Sequence, residues 1–269
     1  MAAASNNKCD ARIQNKIISI EPKLKKIFSE RGNSDGELFL ERISKKTGRE
    51  VIFPLRFVTS GRNKLKNGIY LIHLNLDGNA SHGILLFVSQ DTNGQYIFNL
   101  FEPNGQRWAN EPKFYQIEIT LDGNVQNINT TLSPTMNING NGNCGIWGIV
   151  VSILLNGLIN NEITNVENDN FYRFLNENKT NGDNFARHIS DTYFNSDRQI
   201  DVNLFREQIM DMIKNPDNFI GGAHGKGGKK IKTKKKKSIK KGKKVKKGKK
   251  EKKQKSIKNF LLKTPNRLM

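Results

Sequence analysis

Apolar positions along the chain change their period several times, and each change marks an element. Ile13, Ile17, Ile20, Leu24 and Ile27 recur at spacings of three and four, which predicts an amphipathic helix over about Arg12 to Glu30. Pro22 predicts a kink or a restart inside it. Asp35 stands where it would cap a second helix over Gly36–Ser44, with Leu38, Leu40 and Ile43 facing inward. A short strand is expected around Val51–Phe57. The pattern then switches to short continuous apolar runs: Ile69–Leu74, Gly83–Val88 and Tyr96–Phe101. Asp91-Thr92-Asn93-Gly94, a hairpin turn, joins the second run to the third. Three consecutive strands buried on both faces describe the centre of a sheet covered by helices. A fourth strand, Phe114–Leu121, alternates more openly and turns at Asp122-Gly123.

The run from Ile149 to Leu158 is too long and unbroken for a half-exposed strand, and predicts a buried helix. Three weaker helices follow, at Asn170–Leu175, about Asp183–Ser190 and Val202–Ile213, and the body ends near Phe219. The fold class is therefore α+β: a mostly antiparallel central sheet flanked by helices. Residues 1–10 are small and polar and read as a disordered terminus, 11–219 as one domain, and 220–269 as a separate tail.

The candidate chemistry sits at the start of the buried helix. Gly140-Asn141-Gly142-Asn143-Cys144-Gly145-Ile146-Trp147-Gly148 delivers a cysteine to a helix N-terminus, where unpaired N–H groups and the macrodipole favour thiolate. A nucleophilic cysteine needs a base and a group to orient that base. Of the four histidines, His224 is in the tail, His188 is on a late helix and His73 is mid-strand. His82 lies at the mouth of a strand, where a side chain can overhang a cleft. Glu102 ends the next strand, followed by Pro103-Asn104-Gly105. A turn centred near residue 92 pairs position 82 with about 102, so the carboxylate can hold the imidazole while its other nitrogen takes the Cys144 proton. Asn104 is the substitute for Glu102. Trp147 reads as core.

This order of His82, Phe101-Glu102-Pro103 and Asn141-Gly142-Asn143-Cys144-Gly145 resembles the ubiquitin-like-protein proteases. That clan includes the SUMO-specific proteases, the adenoviral maturation protease and polyprotein proteases of large DNA viruses. The resemblance runs over His82–Leu155. It implies a papain-like cysteine-protease fold and a thiol endopeptidase with no cofactor and no metal, cutting after small residues at Gly-Gly-type sites. Its substrates would be viral structural precursors or ubiquitin-like conjugates. Three positions depart from the family: Gly83 follows the histidine where eukaryotic members carry Trp, Glu102 replaces the usual Asp as in viral branches, and the oxyanion-hole Gln is missing. Asn137, seven residues before Cys144, is the candidate for that donor beside the Cys144 backbone N–H; Asn139 is five before. Gly221-Gly222 and Gly227-Gly228 offer sites at which self-cleavage would release the tail. Two other classes fit the same residues. One is an acetyltransferase of the same clan, with Cys144 as acyl carrier. The other is a non-catalytic, nucleic-acid-binding virion protein.

Charge separates the body from the tail. The formal charge is +20, yet Gly225–Met269 alone holds 22 of the 45 basic residues and one of the 25 acids, which leaves 23 against 24 elsewhere. A near-neutral body thus carries a Lys-rich tail whose self-repulsion keeps it extended. Its first aromatic is Phe260, so nucleic-acid contact through 225–258 would be phosphate-directed and sequence-independent. Two cysteines, Cys9 and Cys144, allow one disulfide but no disulfide framework. The first 30 residues lack the pattern of a signal peptide, and the apolar run is too short to span a bilayer. Virion or host cytoplasm, with the nucleus open through the tail, is the expected location; secretion and membrane partners are not expected.

Overall fold

The computed structural model of the protein describes residues 11–30, 38–44, 51–55, 66–75, 81–110, 115–121, 124–140 and 142–219. The expected disordered terminus and the basic tail, with both Gly-Gly pairs, lie outside them. The first helix, α1, spans Ala11–Glu30 and does not restart at Pro22. Its stripe of Ile13, Ile17, Ile20, Leu24, Ile27 and Phe28 is buried. A helix-interior proline costs about 3 kcal/mol, and burying each large aliphatic side chain returns roughly 1.5–3 kcal/mol. The stripe wins.

The central sheet holds β1 (Leu38–Ser44), β3 (Gly68–Asn75), β4 (Ser81–Gln90) and β5 (Tyr96–Phe101) in the order β1-β3-β4-β5. Strands β3, β4 and β5 run antiparallel as expected, and apolar residues of both parities along them, such as Leu71 and Ile72 or Leu85 and Leu86, are buried. The helix expected over Gly36–Ser44 is instead strand β1, parallel to β3 from Leu38↔Ile69 to Ser44↔Asn75. Seven residues are too few for a stable isolated helix, and the open edge of β3 offers their backbone groups a ladder.

The expected fourth strand is β6 (Tyr115–Leu121), and it stands in a second sheet. It pairs parallel with β2 (Val51–Leu55) and antiparallel with β7 (Asn124–Gln126). The outer edge of β5 is met by the chain after β7, through the parallel bridge Asn99↔Asn129.

The buried helix, α3, spans Cys144–Ile159, with Cys144 to Gly157 all buried. It packs on β3 and β4 so closely that a Cβ on Gly148 would stand 2.4 Å from Leu71 Cδ1. Helix α1 meets its first turn, where a Cβ on Gly145 would stand 2.7 Å from Ile17 Cδ1. Trp147 is fully buried as expected, its ring stacked on Phe185 at 5.6 Å. The later helices are longer than the sequence pattern suggests: α4 (Asn165–Glu177), α5 (Lys179–Ile189), continued by a π turn at Ser190–Phe194, and α6 (Val202–Lys214). A short helix, α2 (Gln106–Ala109), follows β5. The described body closes with a 3-10 turn at Pro216–Phe219.

Helix α4 begins with a capping box. The Glu167 backbone N–H donates to Thr164 Oγ1 at 3.2 Å, while the Thr164 N–H and hydroxyl donate to Glu167 Oε2 at 2.6 and 2.8 Å. Partial burial works to raise the Glu167 carboxyl's pKa; the bonds from Thr164, with Lys214 nearby, outweigh it and hold the group below its ordinary value. Thr164→Ala is expected to cost about 1 kcal/mol in urea unfolding. Because the folded carboxyl sits low, the electrostatic part of that loss is present at neutral pH and fades as pH falls below 4.5. It is a small part, since the carboxylate is mostly solvated.

Candidate active site

The hairpin that carries the predicted histidine and acid is built by its loop. Asp91 N–H donates to Gln95 O at 2.8 Å, and Asp91 Oδ1 accepts from the backbone N–H groups of Asn93 and Gln95, each at 2.8 Å. Gly94, at φ +78°, supplies the left-handed step. The loop therefore runs Asp91–Gln95, one residue longer than the turn expected, and Gln90 pairs with Tyr96. Continued past Leu85↔Phe101, that register sets 82 opposite 104 and 84 opposite 102. The expected pairing of 82 with 102 is thus off by two residues. A shift of two keeps the face, so His82 and Glu102 become diagonal neighbours.

They meet. His82 Nε2 lies 2.8 Å from Glu102 Oε1 and 2.9 Å from Oε2, with His82 2% and Glu102 0% exposed. With Nε2–H donating to the carboxylate, Nδ1 is the acceptor nitrogen whenever the ring is neutral. Nδ1 is buried and has no hydrogen-bond partner. His73, the rival histidine, stands in register with Gly83, and Leu74 with His82; the Glu102 carboxylate goes to His82. His188 is exposed near the end of α5.

The acid is fixed from three sides. Asn104 N–H donates to Glu102 Oε1 at 2.7 Å, the Glu102 N–H donates to Ser133 Oγ at 3.0 Å, and the Ser133 hydroxyl donates to Leu100 O at 3.2 Å. The turn after Glu102 closes through Gly105 N–H to Glu102 O at 2.9 Å. Gly105 has φ +93°, and a Cβ there would stand 3.1 Å from the Pro134 and Met136 carbonyl oxygens. Only glycine fits. Trp108, on α2, lies against the imidazole, ring centroids 6.1 Å apart.

Cys144 reaches this hairpin through the backbone. A Cβ on Gly83 would touch Cys144 C and Gly145 N at 3.4 Å, so the first turn of α3 lies on the residue next to His82. A large side chain at 83 would meet that turn. Cys144 is the first residue of α3, is fully buried, and follows an Asn143 whose side chain makes no capping bond. Cys144 is disulfide-bonded, and Sγ sits 4.0 Å from the Gly142 carbonyl oxygen. The other cysteine, Cys9, lies outside the described residues. A disulfide sulfur has no proton to give, and no hydrogen bond joins it to His82 Nδ1.

Asn137, the oxyanion candidate, is half-buried, and its Oδ1 accepts from the Asn139 N–H at 2.8 Å. An oxyanion role needs its NH2 group, which that bond does not occupy. Sequence reasoning missed Ser133 and Trp108, and took Asn104 only as a stand-in for Glu102. No local signal marks a serine 31 residues from its partner. Among the described residues no cluster of His, Cys, Asp and Glu could hold a metal ion, and no helix is long and apolar enough to cross a membrane. No family model, no characterised protein and no solved structure matches the chain.

Removing one member of a buried hydrogen-bonded pair leaves the other unsatisfied. Glu102→Ala is expected to lose about 1–3 kcal/mol of stability in urea unfolding, and more than Glu102→Gln, whose amide still offers an oxygen to Nε2–H. Equal losses for the two variants would count against the bond.

Proposed function

We propose that the protein is a cysteine endopeptidase of the ubiquitin-like-protease type, cleaving after small residues at Gly-Gly-type sites. The observation that carries this reading is the buried His82–Glu102 bond, which leaves Nδ1 as an unpartnered acceptor one residue from the backbone on which Cys144 lies. In the working form Cys144 is reduced. Nδ1 takes the thiol proton, Sγ attacks the scissile carbonyl carbon, and the C–N bond breaks as the imidazolium returns the proton to the leaving amine. Water, giving a proton to Nδ1, then attacks the thioester, and the C–S bond breaks to free the acid and the thiol. Glu102 holds the ring in that tautomer and stabilises its charged form. The Cys144 N–H and Asn137 Nδ2 are the oxyanion donors. Viral structural precursors or ubiquitin-like conjugates are the substrate class, and the tail would concentrate the enzyme on polyanions.

The disulfide favours a second reading, in which Cys144 is a structural half-cystine and the His–Glu pair a buried polar tie. The two readings answer a reductant in opposite ways. Under the first, dithiothreitol switches on cleavage of a Gly-Gly-containing peptide and reaction with a Gly-Gly aldehyde probe. Cys144→Ala and His82→Ala each abolish both, and Glu102→Ala lowers the rate by about 10²-fold or more, the order of general acid–base assistance. Under the second, reductant lowers the melting temperature and elicits neither. In the same preparation, an intact full-length mass for the reduced, active wild type would exclude release of the tail at Gly221-Gly222 or Gly227-Gly228.

A further inference from the structure

The loop before Cys144 reaches the turn that follows Glu102 through a buried side-chain hydrogen bond. Asn139 Nδ2 donates to Asn104 Oδ1 at 3.1 Å, with Asn139 0% and Asn104 3% exposed. Asn104 in turn gives its backbone N–H to Glu102 Oε1, the oxygen nearest His82 Nε2. Its amide nitrogen lies 3.5 Å from Nε2, a packing contact, since Nε2–H is spent on the carboxylate. Beside this runs a backbone bond, Ile138 N–H to Pro103 O at 3.0 Å, and Trp147 Nε1–H donates to Ile138 O at 3.1 Å. Two ties therefore lead from α3 and its approach loop to the turn that fixes Glu102. Asn139 Oδ1 is buried with no partner. An amide kept at the cost of an unsatisfied acceptor is kept for its donor.

We propose that Asn104 and Asn139 are positioning residues. Their amide–amide bond couples the docking of the cysteine loop to the orientation of the Glu102 carboxylate, and through it to the imidazole. The bridge acts on the base without touching substrate. It rests on the reading of Cys144 and His82 as nucleophile and base. Without the bridge, loop and hairpin stay joined by backbone bonds such as Ile138 N–H to Pro103 O, so the ring would lose its orientation before the body lost its fold. The side chain does what a loop backbone bond cannot: it ends on the residue whose own N–H sets the acid.

The test uses full-length, reduced protein and measures alkylation of Cys144 by iodoacetamide, resolved from Cys9 by peptide mass spectrometry, at about pH 6 and about pH 9. An unassisted thiol with a pKa of about 8.5 slows more than a hundredfold between the two; a thiol paired with a well-placed imidazole slows far less. Asn139→Ala and Asn104→Ala are each expected to cut the pH 6 rate about tenfold, the scale of one buried hydrogen bond, with the pH 9 rate unchanged. The double variant should be no slower than the worse single one, because both break the same bond. Melting temperatures are recorded for all, and Asn139→Leu, close in volume, replaces Asn139→Ala if that variant does not fold. Variants that keep the wild-type ratio, or whose effects add, overturn the bridge alone. A wild type that behaves as an unassisted thiol overturns the cysteine–histidine reading, and the bridge with it.

Discussion

Everything at the candidate site depends on one constraint: helix α3 is apolar on all sides and must be covered on all sides. Cys144–Gly157 are buried without interruption, so the helix has no solvent face along which it could slide or turn. The sheet takes one side at Leu71, helix α1 takes another at Ile17, and α6 reaches it through the fully buried Arg206, whose guanidinium donates to Asn156 Oδ1 at 3.3 Å and pairs with Glu162. The small residues Gly145 and Gly148 let neighbours approach closely, and interiors packed to crystal density transmit any displacement of one neighbour to the others. The end of such a helix is a fixed point. That fixed point is Cys144.

Against that apolar background the His82–Glu102 pair is a polar inclusion that must be satisfied locally. A buried carboxylate with one partner would be costly. Glu102 receives the imidazole N–H and a backbone N–H from Asn104, and its own N–H finds Ser133. These partners come from the 102–105 turn, the start of β4 and the chain after β7. The site therefore requires the two loops flanking Glu102 and Cys144 to be folded onto each other, which explains why Gly105 presses against the carbonyls of Pro134 and Met136. Nδ1, the one ring atom left without a partner, is what the same network does not satisfy.

The sequence was most legible where a single physical period dominates. The β3–β5 hairpins and α3 are long or continuous apolar runs, and the histidine and acid lie at strand ends where turn residues mark them. Leu38–Ser44 was misread because four apolar residues in seven fit a helical stripe as well as a strand, and the open edge of β3, a tertiary fact, decided between them. The same holds for β6, whose alternation announces a strand but not the sheet it joins. One residue of the register error came from the Asp91 side chain, which takes two backbone N–H groups and lengthens the loop, and the other from centring the turn on residue 92. It did no harm to the site because sheet faces repeat every two residues. The Asn139–Asn104 bridge had no such cue: it spans 35 residues between two polar loops.

The disulfide at Cys144 and the chemistry proposed for it draw on the same physics. The first N–H groups of α3 receive no side-chain cap from Asn143, so they and the helix dipole stabilise negative charge on the first residue's sulfur. A sulfur whose thiolate is stabilised is the better leaving group when an external thiolate attacks its disulfide partner. The features that would make Cys144 a competent nucleophile therefore also make its disulfide one of the easier kinds to open.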